Sequence, residues 1–186
     1  MRNLNLGLDR KFHKGLIKHL GVQKFKPPKF VQGGATDMPF PTHSFDMVFS
    51  TPVFEHLADP TAVLDEAVHV LTPGGVGHIN THLYTSDSGC LDPRILCSQR
   101  ERIPRWAHLR PEYSSMVRSN SYLNQIRLKE SNELFLSKLP EVRLDHYKES
   151  AELARELVAI RSLAELSEYT DEELLTVVIV AVWSKP

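Results

Sequence analysis

Residues 45–83 read FDMVFSTPVFEHLADPTAVLDEAVHVLTPGGVGHINTHL, and this stretch decides the fold. The apolar run Phe45–Ser50 predicts a strand. Asp59–Pro60 predicts the start of a helix, because an aspartate side chain accepts from free backbone amides and proline fits the first turn. Thr72–Gly75 predicts a turn that ends the helix, and Val76–Leu83 predicts a second strand. Strand, helix and strand in this order form a βαβ unit, whose two strands are parallel.

The C-terminal half predicts further elements of the same sheet. Leu175–Trp183 is β-branched and apolar on both faces, which is typical of an interior strand, and Val142–Tyr147 predicts another strand. Ala151–Leu166 has the composition of a helix. The polar segment Ser86–Leu139 carries scattered aromatic residues and becomes helical in character from Asn120. It predicts a mainly helical cap insertion beside a ligand cleft.

The N-terminal thirty residues are strongly basic, with eight lysines and arginines but one acid, Asp9. Leu4–Leu8 predicts a short strand, and Lys29–Gln32 predicts another. Between them, Arg10–Leu20 predicts an amphipathic helix whose outer face is rich in lysine.

Composition limits the class of protein. With 41% hydrophobic and 24% charged residues, the chain is typical of a globular protein, and 186 residues suit a single domain over 1–186. Cys90 and Cys97 are too few for a disulfide framework, and the N-terminus lacks the apolar segment of a signal peptide, so we expect a cytoplasmic protein. The longest apolar run, Leu174–Trp183, is about half of a membrane span, so no membrane partner is expected. The formal net charge of −1 does not favour nucleic acid as a partner. The sequence leaves the oligomeric state open.

Several segments in order resemble the class I S-adenosylmethionine-dependent methyltransferases, of the type 11-like group. They are Gly33–Ser50, Val53–Pro60, Leu71–Gly75 and the C-terminal Trp183–Pro186. Each is weak alone, but the ordered set is fairly specific. The resemblance implies an α/β fold with a Rossmann-like, mostly parallel sheet and helices on both faces. We expect this sheet to be incomplete at its first strand.

The resemblance also implies S-adenosylmethionine as cofactor. It places the cofactor-binding residues at Asp9, Gly33, Gly34, Ala35, Thr36 and Ser50. The chain departs from the family in two ways: it has no Gly-x-Gly turn, and Gly34 stands where the family has an adenine-binding acid. These departures put cofactor binding in doubt.

The opening segment aligns with the family in two ways. In the first, Asp9 ends the second strand and contacts the ribose hydroxyls, and the first strand is missing. In the second, Leu4–Gly7 is a degenerate first strand. The first is favoured, because the separation between Asp9 and Gly34 suits a helix and a strand. Asp9 can also simply cap the following helix.

Two histidines are candidates for the proton acceptor, because the pKa of histidine lies near neutrality. His82 shares one face of its predicted strand with His78 and Asn80, and it lies nearest the edge where open α/β sheets bind ligands. His56 follows the predicted strand Phe45–Ser50, and a structural role at the helix end is the alternative. No metal site is expected, because the cysteines and nearby histidines match no standard zinc spacing.

The predicted cap contains a basic and aromatic run that could bind an acidic or sugar-type acceptor, or nucleic acid. Its residues are Arg100, Arg102, Arg105, Trp106, His108 and Arg110. The alternative is that this run is the solvated surface of a small cap. The resemblance implies methyl transfer to an oxygen or nitrogen of a small polar metabolite, and a sugar-type acceptor is expected by analogy alone. The alternative is a catalytically inactive binding or regulatory module that keeps the methyltransferase scaffold. A third and weaker hypothesis is RNA binding through the basic N-terminus.

Overall fold

The computed structural model describes residues 29, 31–97, 103–119, 121–161 and 165–186. The chain divides into two units, Met1–Pro39 and Phe40–Pro186, which are described separately. In the first unit, Gly34 and Asp37 form an isolated β-bridge. The described residues of the predicted strand Lys29–Gln32 have irregular structure. The predicted strand Leu4–Leu8 and helix Arg10–Leu20 lie outside the described residues.

The second unit contains the predicted βαβ unit. Strand β1 spans Phe45–Ser50, helix α1 spans Pro60–Val70, and strand β2 spans Leu71–His82. β1 and β2 are parallel. The Asp59 side chain accepts from the backbone N–H of Ala62 at 2.9 Å, so the predicted helix cap is confirmed.

β2 begins earlier than the sequence predicts. Thr72–Gly75 is not the separate turn that its composition predicts, because it lies within β2, where the pairing with β1 is irregular. Gly74 has a φ of 77°, which glycine adopts without strain, and it donates its N–H to the carbonyl of Lys185 at 2.7 Å. Lys185 in turn donates to Gly75 at 2.9 Å. Lys185 therefore continues the backbone hydrogen bonding of the sheet across the predicted turn.

The described residues form a sheet of four strands in the order β1-β2-β4-β3, with β3 at Arg143–Lys148 and β4 at Thr176–Ser184. β4 is antiparallel to both of its neighbours. Two of the three described strand pairs are antiparallel, so the described sheet is mixed and not mostly parallel as predicted. A Rossmann-like sheet is shown only in part. An α/β fold is confirmed.

The main core lies on one face of the sheet. Ile79 of β2 and Trp183 of β4 pack there against Leu64 of α1. Gly77 of β2 permits this packing, because a Cβ at this position would lie 2.0 Å from the Trp183 ring. On the opposite face, Met47 and other β1 side chains are exposed.

The segment predicted as a cap contains helix α2 at Pro93–Leu96, two short 3-10 turns, and helix α3 at Leu128–Lys138. Phe135 of α3 is buried in the sheet core. The last helix of the segment thus belongs to the layer that covers the sheet. Whether the rest lies over a ligand stays a prediction.

Helices α4, Ala151–Arg161, and α5, Asp171–Leu175, connect β3 to β4. They share a second apolar cluster with buried Trp106. Among the described residues, no helix combines the length and the apolarity that crossing a membrane requires.

Candidate active site

The C-terminal ends of β1 and β2 meet at one edge of the sheet, because the two strands are parallel and Ser50 pairs with Ile79. A 3-10 turn, Phe54–His56, follows β1. Its Glu55 carboxylate accepts from the Thr81 hydroxyl near the end of β2, at 3.3 Å. In open α/β sheets this edge is where ligands bind.

His56 is held at this edge by a distant part of the chain. Its Nδ1 lies 2.8 Å from the carbonyl oxygen of Tyr122 and 3.0 Å from the Ser121 hydroxyl. A carbonyl oxygen can only accept, so Nδ1 carries the hydrogen. In the neutral ring, Nε2 is then the unprotonated nitrogen, and no hydrogen bond engages it within the described chain. His56 therefore has the form that a proton acceptor requires.

His82 has different surroundings. Its Nε2 lies 3.0 Å from the Ser88 hydroxyl and 3.2 Å from the Ser86 hydroxyl. Burial lowers the pKa of His82 because it disfavours the charged ring. The ring is therefore neutral near neutral pH, but the two serines already occupy Nε2. The predicted catalytic roles of His82 and His56 remain predictions, and the geometry favours His56.

Glu55 is a further polar group that the sequence did not single out for a role. The residue is 4% exposed, and its buried Oε1 has no hydrogen-bond partner among the described residues. Buried polar atoms are normally bonded. The Phe-Glu-His-Leu pattern draws attention to this position, but the sequence carries no signal that the carboxylate is buried.

The polar stripe predicted on β2 lies on the sheet face opposite Thr81, by strand alternation. The His78 ring stacks on Phe49, with centroids 4.9 Å apart. His78 and Asn80 line a cavity of ≈ 490 Å³ together with Tyr147 and other side chains. His82 belongs to the same face, so the stripe is separate from the surroundings of Glu55.

The predicted cofactor-binding residues fall into three groups. Asp9 lies outside the described residues. Gly33, Gly34, Ala35 and Thr36 lie in the first unit, and Ser50 lies in the second.

The structure of these residues fits S-adenosylmethionine only in part. A Cβ on Gly33 would lie 2.7 Å from Cδ of Pro39, so packing within its own turn explains this glycine. Nothing crowds Gly34, because a Cβ added there would meet its nearest atom, the Thr36 hydroxyl oxygen, only at 3.9 Å. Neither glycine therefore indicates a cradle for the cofactor. Ser50, half-buried at the end of β1, lies where the resemblance expects a contact.

The described arginines of the basic run are bound within the protein. Arg105 pairs with Glu156 at 2.5 Å and with Asp87 at 3.0 Å. Arg110 donates to Glu165 at 2.9 Å. Carboxylates of the protein itself thus pair with the positive charges of Arg105 and Arg110. This argues against the predicted contact of these two arginines with an acidic acceptor. Arg100 and Arg102 lie outside the described residues.

Within the part of the chain that the structure describes, no group of three potential metal-binding side chains occurs. Cys90 is buried and Cys97 is exposed, and both are free thiols. Burial raises the pKa of Cys90, so its thiol stays protonated near neutral pH.

Comparison with known proteins identifies one family model, described as a methyltransferase domain, which matches residues 8–79. No curated protein matches the chain significantly. Among solved structures, the YcgJ protein of Bacillus subtilis is 17% identical over 95% of this chain and 78% of its own, with a TM-score of 0.43. A SAM-dependent methyltransferase of Thermotoga maritima is 18% identical over 93% and 68%, with a TM-score of 0.43.

A third solved structure is phosphoethanolamine N-methyltransferase 2 of Haemonchus contortus. It is 16% identical over 82% of this chain and 36% of its own, with a TM-score of 0.46. These structural likenesses are distant and assign neither activity nor substrate. The family model covers β1, α1 and most of β2, the elements that form the edge described above. The resemblance predicted from the sequence is therefore confirmed over residues 8–79, which match the methyltransferase domain model.

Proposed function

We propose that this protein is an S-adenosylmethionine-dependent methyltransferase that transfers a methyl group to an oxygen or nitrogen of a small polar metabolite. The observation that carries the proposal is the match of residues 8–79 to the methyltransferase domain. The unoccupied Nε2 of His56 at the ligand-binding edge of the sheet supports it.

His56 is the proton acceptor in this proposal. When bound, the cofactor supplies a methyl group on a positively charged sulfur. As the acceptor atom forms a bond to the methyl carbon, the sulfur–methyl bond would break to leave a neutral thioether, and the acceptor would lose its proton to Nε2 of His56. Ser50, at the end of β1, is the cofactor contact on the second unit. Positioning of the two reactants dominates such a displacement.

Titration calorimetry with S-adenosylmethionine tests the proposal at its first step. We expect a dissociation constant in the micromolar range for the wild type. His56→Gln should keep this affinity, since His56 acts on the acceptor. Ser50→Ala, which removes only the hydroxyl group, should weaken it. An absence of heat up to millimolar cofactor would contradict the proposal.

One observation favours a second candidate function, a catalytically inactive module. Gly34 stands where the resembling family has an adenine-binding acid, and a Cβ added to Gly34 would meet no described atom closer than 3.9 Å, so no close backbone approach explains this glycine. Such a protein would use the scaffold for binding or regulation. The same titration separates the two candidates, because the inactive module binds no S-adenosylmethionine.

A further inference from the structure

Asn124 fastens a distant part of the chain to the turn that follows β1. Its backbone N–H donates to the carbonyl of Glu55 at 2.9 Å. Its side-chain amide donates to the carbonyl of Phe54 at 3.0 Å and to that of Leu57 at 3.2 Å. One side chain thus bonds the backbone on both sides of His56, so the conformation of this turn depends on Asn124.

The same segment sets the hydrogen position on the His56 ring. Tyr122, two residues before Asn124, supplies the carbonyl oxygen that lies 2.8 Å from Nδ1. The Ser121 hydroxyl lies 3.0 Å from the same nitrogen. Because the carbonyl can only accept, this contact requires hydrogen on Nδ1 and leaves the lone pair on Nε2.

We propose that Asn124 is a positioning residue, which holds the Tyr122 carbonyl against His56 and so fixes the ring as the Nδ1–H tautomer. This tautomer presents Nε2 to the acceptor. The catalytic meaning of the inference rests on the proposed function, but the tautomer itself can be measured without any reaction.

Nitrogen NMR of the full chain with 15N-labelled histidine tests it, with His56 assigned by His56→Gln. In the neutral ring, we expect Nδ1 of the wild type to resonate as a protonated nitrogen and Nε2 as an unprotonated one. Asn124→Asp keeps the size of the side chain but removes both amide donors. We expect the two His56 shifts to move toward each other in this variant, because both tautomers become populated.

A control comes from an asparagine elsewhere in the chain that bonds a histidine directly: the Asn132 side chain accepts from His146 at 2.9 Å. Asn132→Asp should alter the His146 signals and leave those of His56 unchanged. A wild-type ring with hydrogen on Nε2 would overturn the inference, as would a folded Asn124→Asp variant with unchanged His56 shifts.

Ser121→Ala covers the case in which Asn124→Asp fails to fold. Ser121 is exposed, and the variant removes the hydroxyl but retains the Tyr122 carbonyl. We expect the Nδ1–H tautomer to persist, whereas its loss would assign the tautomer to the serine and overturn the inference. A wild-type protein with this tautomer but no affinity for S-adenosylmethionine would contradict the proposed function alone.

Discussion

Two regions at the C-terminal edge of the sheet bury carboxylates in opposite ways. In the loop after β2, Asp87 and Asp92 are buried and fully bonded to arginines and backbone amides. In the turn after β1, Glu55 is equally buried, but the part of the chain that the structure describes supplies no hydrogen-bond partner for one of its oxygens. The two fully hydrogen-bonded carboxylates have structural roles, because each one joins two separate parts of the chain. The incompletely hydrogen-bonded Glu55 is adjacent in sequence to His56, whose Nε2 also has no hydrogen bond within the described chain.

Removal of a fully hydrogen-bonded carboxylate should have the largest effect on the free energy of unfolding. Asp92 accepts from the Arg94 guanidinium at 2.6 Å and from the backbone N–H of Arg118 at 2.7 Å. Asp92→Ala leaves the backbone donor without its charged acceptor, so we expect the free energy of unfolding to fall by about 3 kcal/mol. Urea denaturation measures this loss.

Asp65→Ala is the control for this substitution. The Asp65 carboxylate is 58% exposed and pairs with Lys138 at 2.9 Å on the surface. Its removal should cost less than about 1 kcal/mol. Equal losses in the two variants would contradict the structural role assigned to Asp92.

The free energy of unfolding at acidic pH should also depend on Asp92. Hydrogen bonds from Arg94 hold the pKa of Asp92 well below its usual range. The ionised carboxylate therefore stabilises the fold above its ordinary pKa, and this contribution is lost as the pH falls toward the depressed value. Asp92→Asn should be less stable than the wild type near neutral pH. The difference should narrow as the pH falls below about 4. Urea midpoints across this range measure it, and a difference that is constant with pH would speak against the Arg94 contact.

A matched pair of carboxylate-to-amide substitutions sharpens the comparison. Asp87 accepts from the buried backbone N–H of Trp106 at 2.8 Å and from Arg105 at 3.0 Å, so Asp87→Asn should cost about 1–3 kcal/mol. Glu55→Gln should change the free energy of unfolding by less than about 1 kcal/mol, because Oε1 has no hydrogen bond to lose. Thermal or urea unfolding of both variants measures the pair. If Glu55→Gln lowered the free energy of unfolding more than Asp87→Asn does, the contrast drawn between the two carboxylates would be wrong.

Local signals make the βαβ unit predictable. The apolar run of β1 and the Asp59–Pro60 start of α1 act within a few residues, and the structure reproduces both. The predicted start of β2 is wrong because Thr72–Gly75 has the composition of a turn. Its conformation is decided instead by backbone bonds with Lys185, more than one hundred residues away.

The candidate site is less predictable than the fold. The sequence marks His56, but its partner Tyr122 is 66 residues away, and the contact uses a backbone carbonyl that every residue type possesses. Likewise, Arg105 has the appearance of a ligand contact in the sequence because its partners Asp87 and Glu156 are distant along the chain. Such pairings follow from tertiary packing, which a single sequence does not reveal.

Methyl transfer itself tests the central claim most directly. The wild type and His56→Gln would be incubated with S-adenosylmethionine labelled on its methyl group and with a pool of polar metabolites, and labelled product would be measured. Transfer by the wild type, reduced about 10²- to 10⁴-fold in His56→Gln, is the expected result. Equal transfer by the two proteins would contradict the role of His56, and no transfer by a cofactor-bound wild type would contradict the proposed activity.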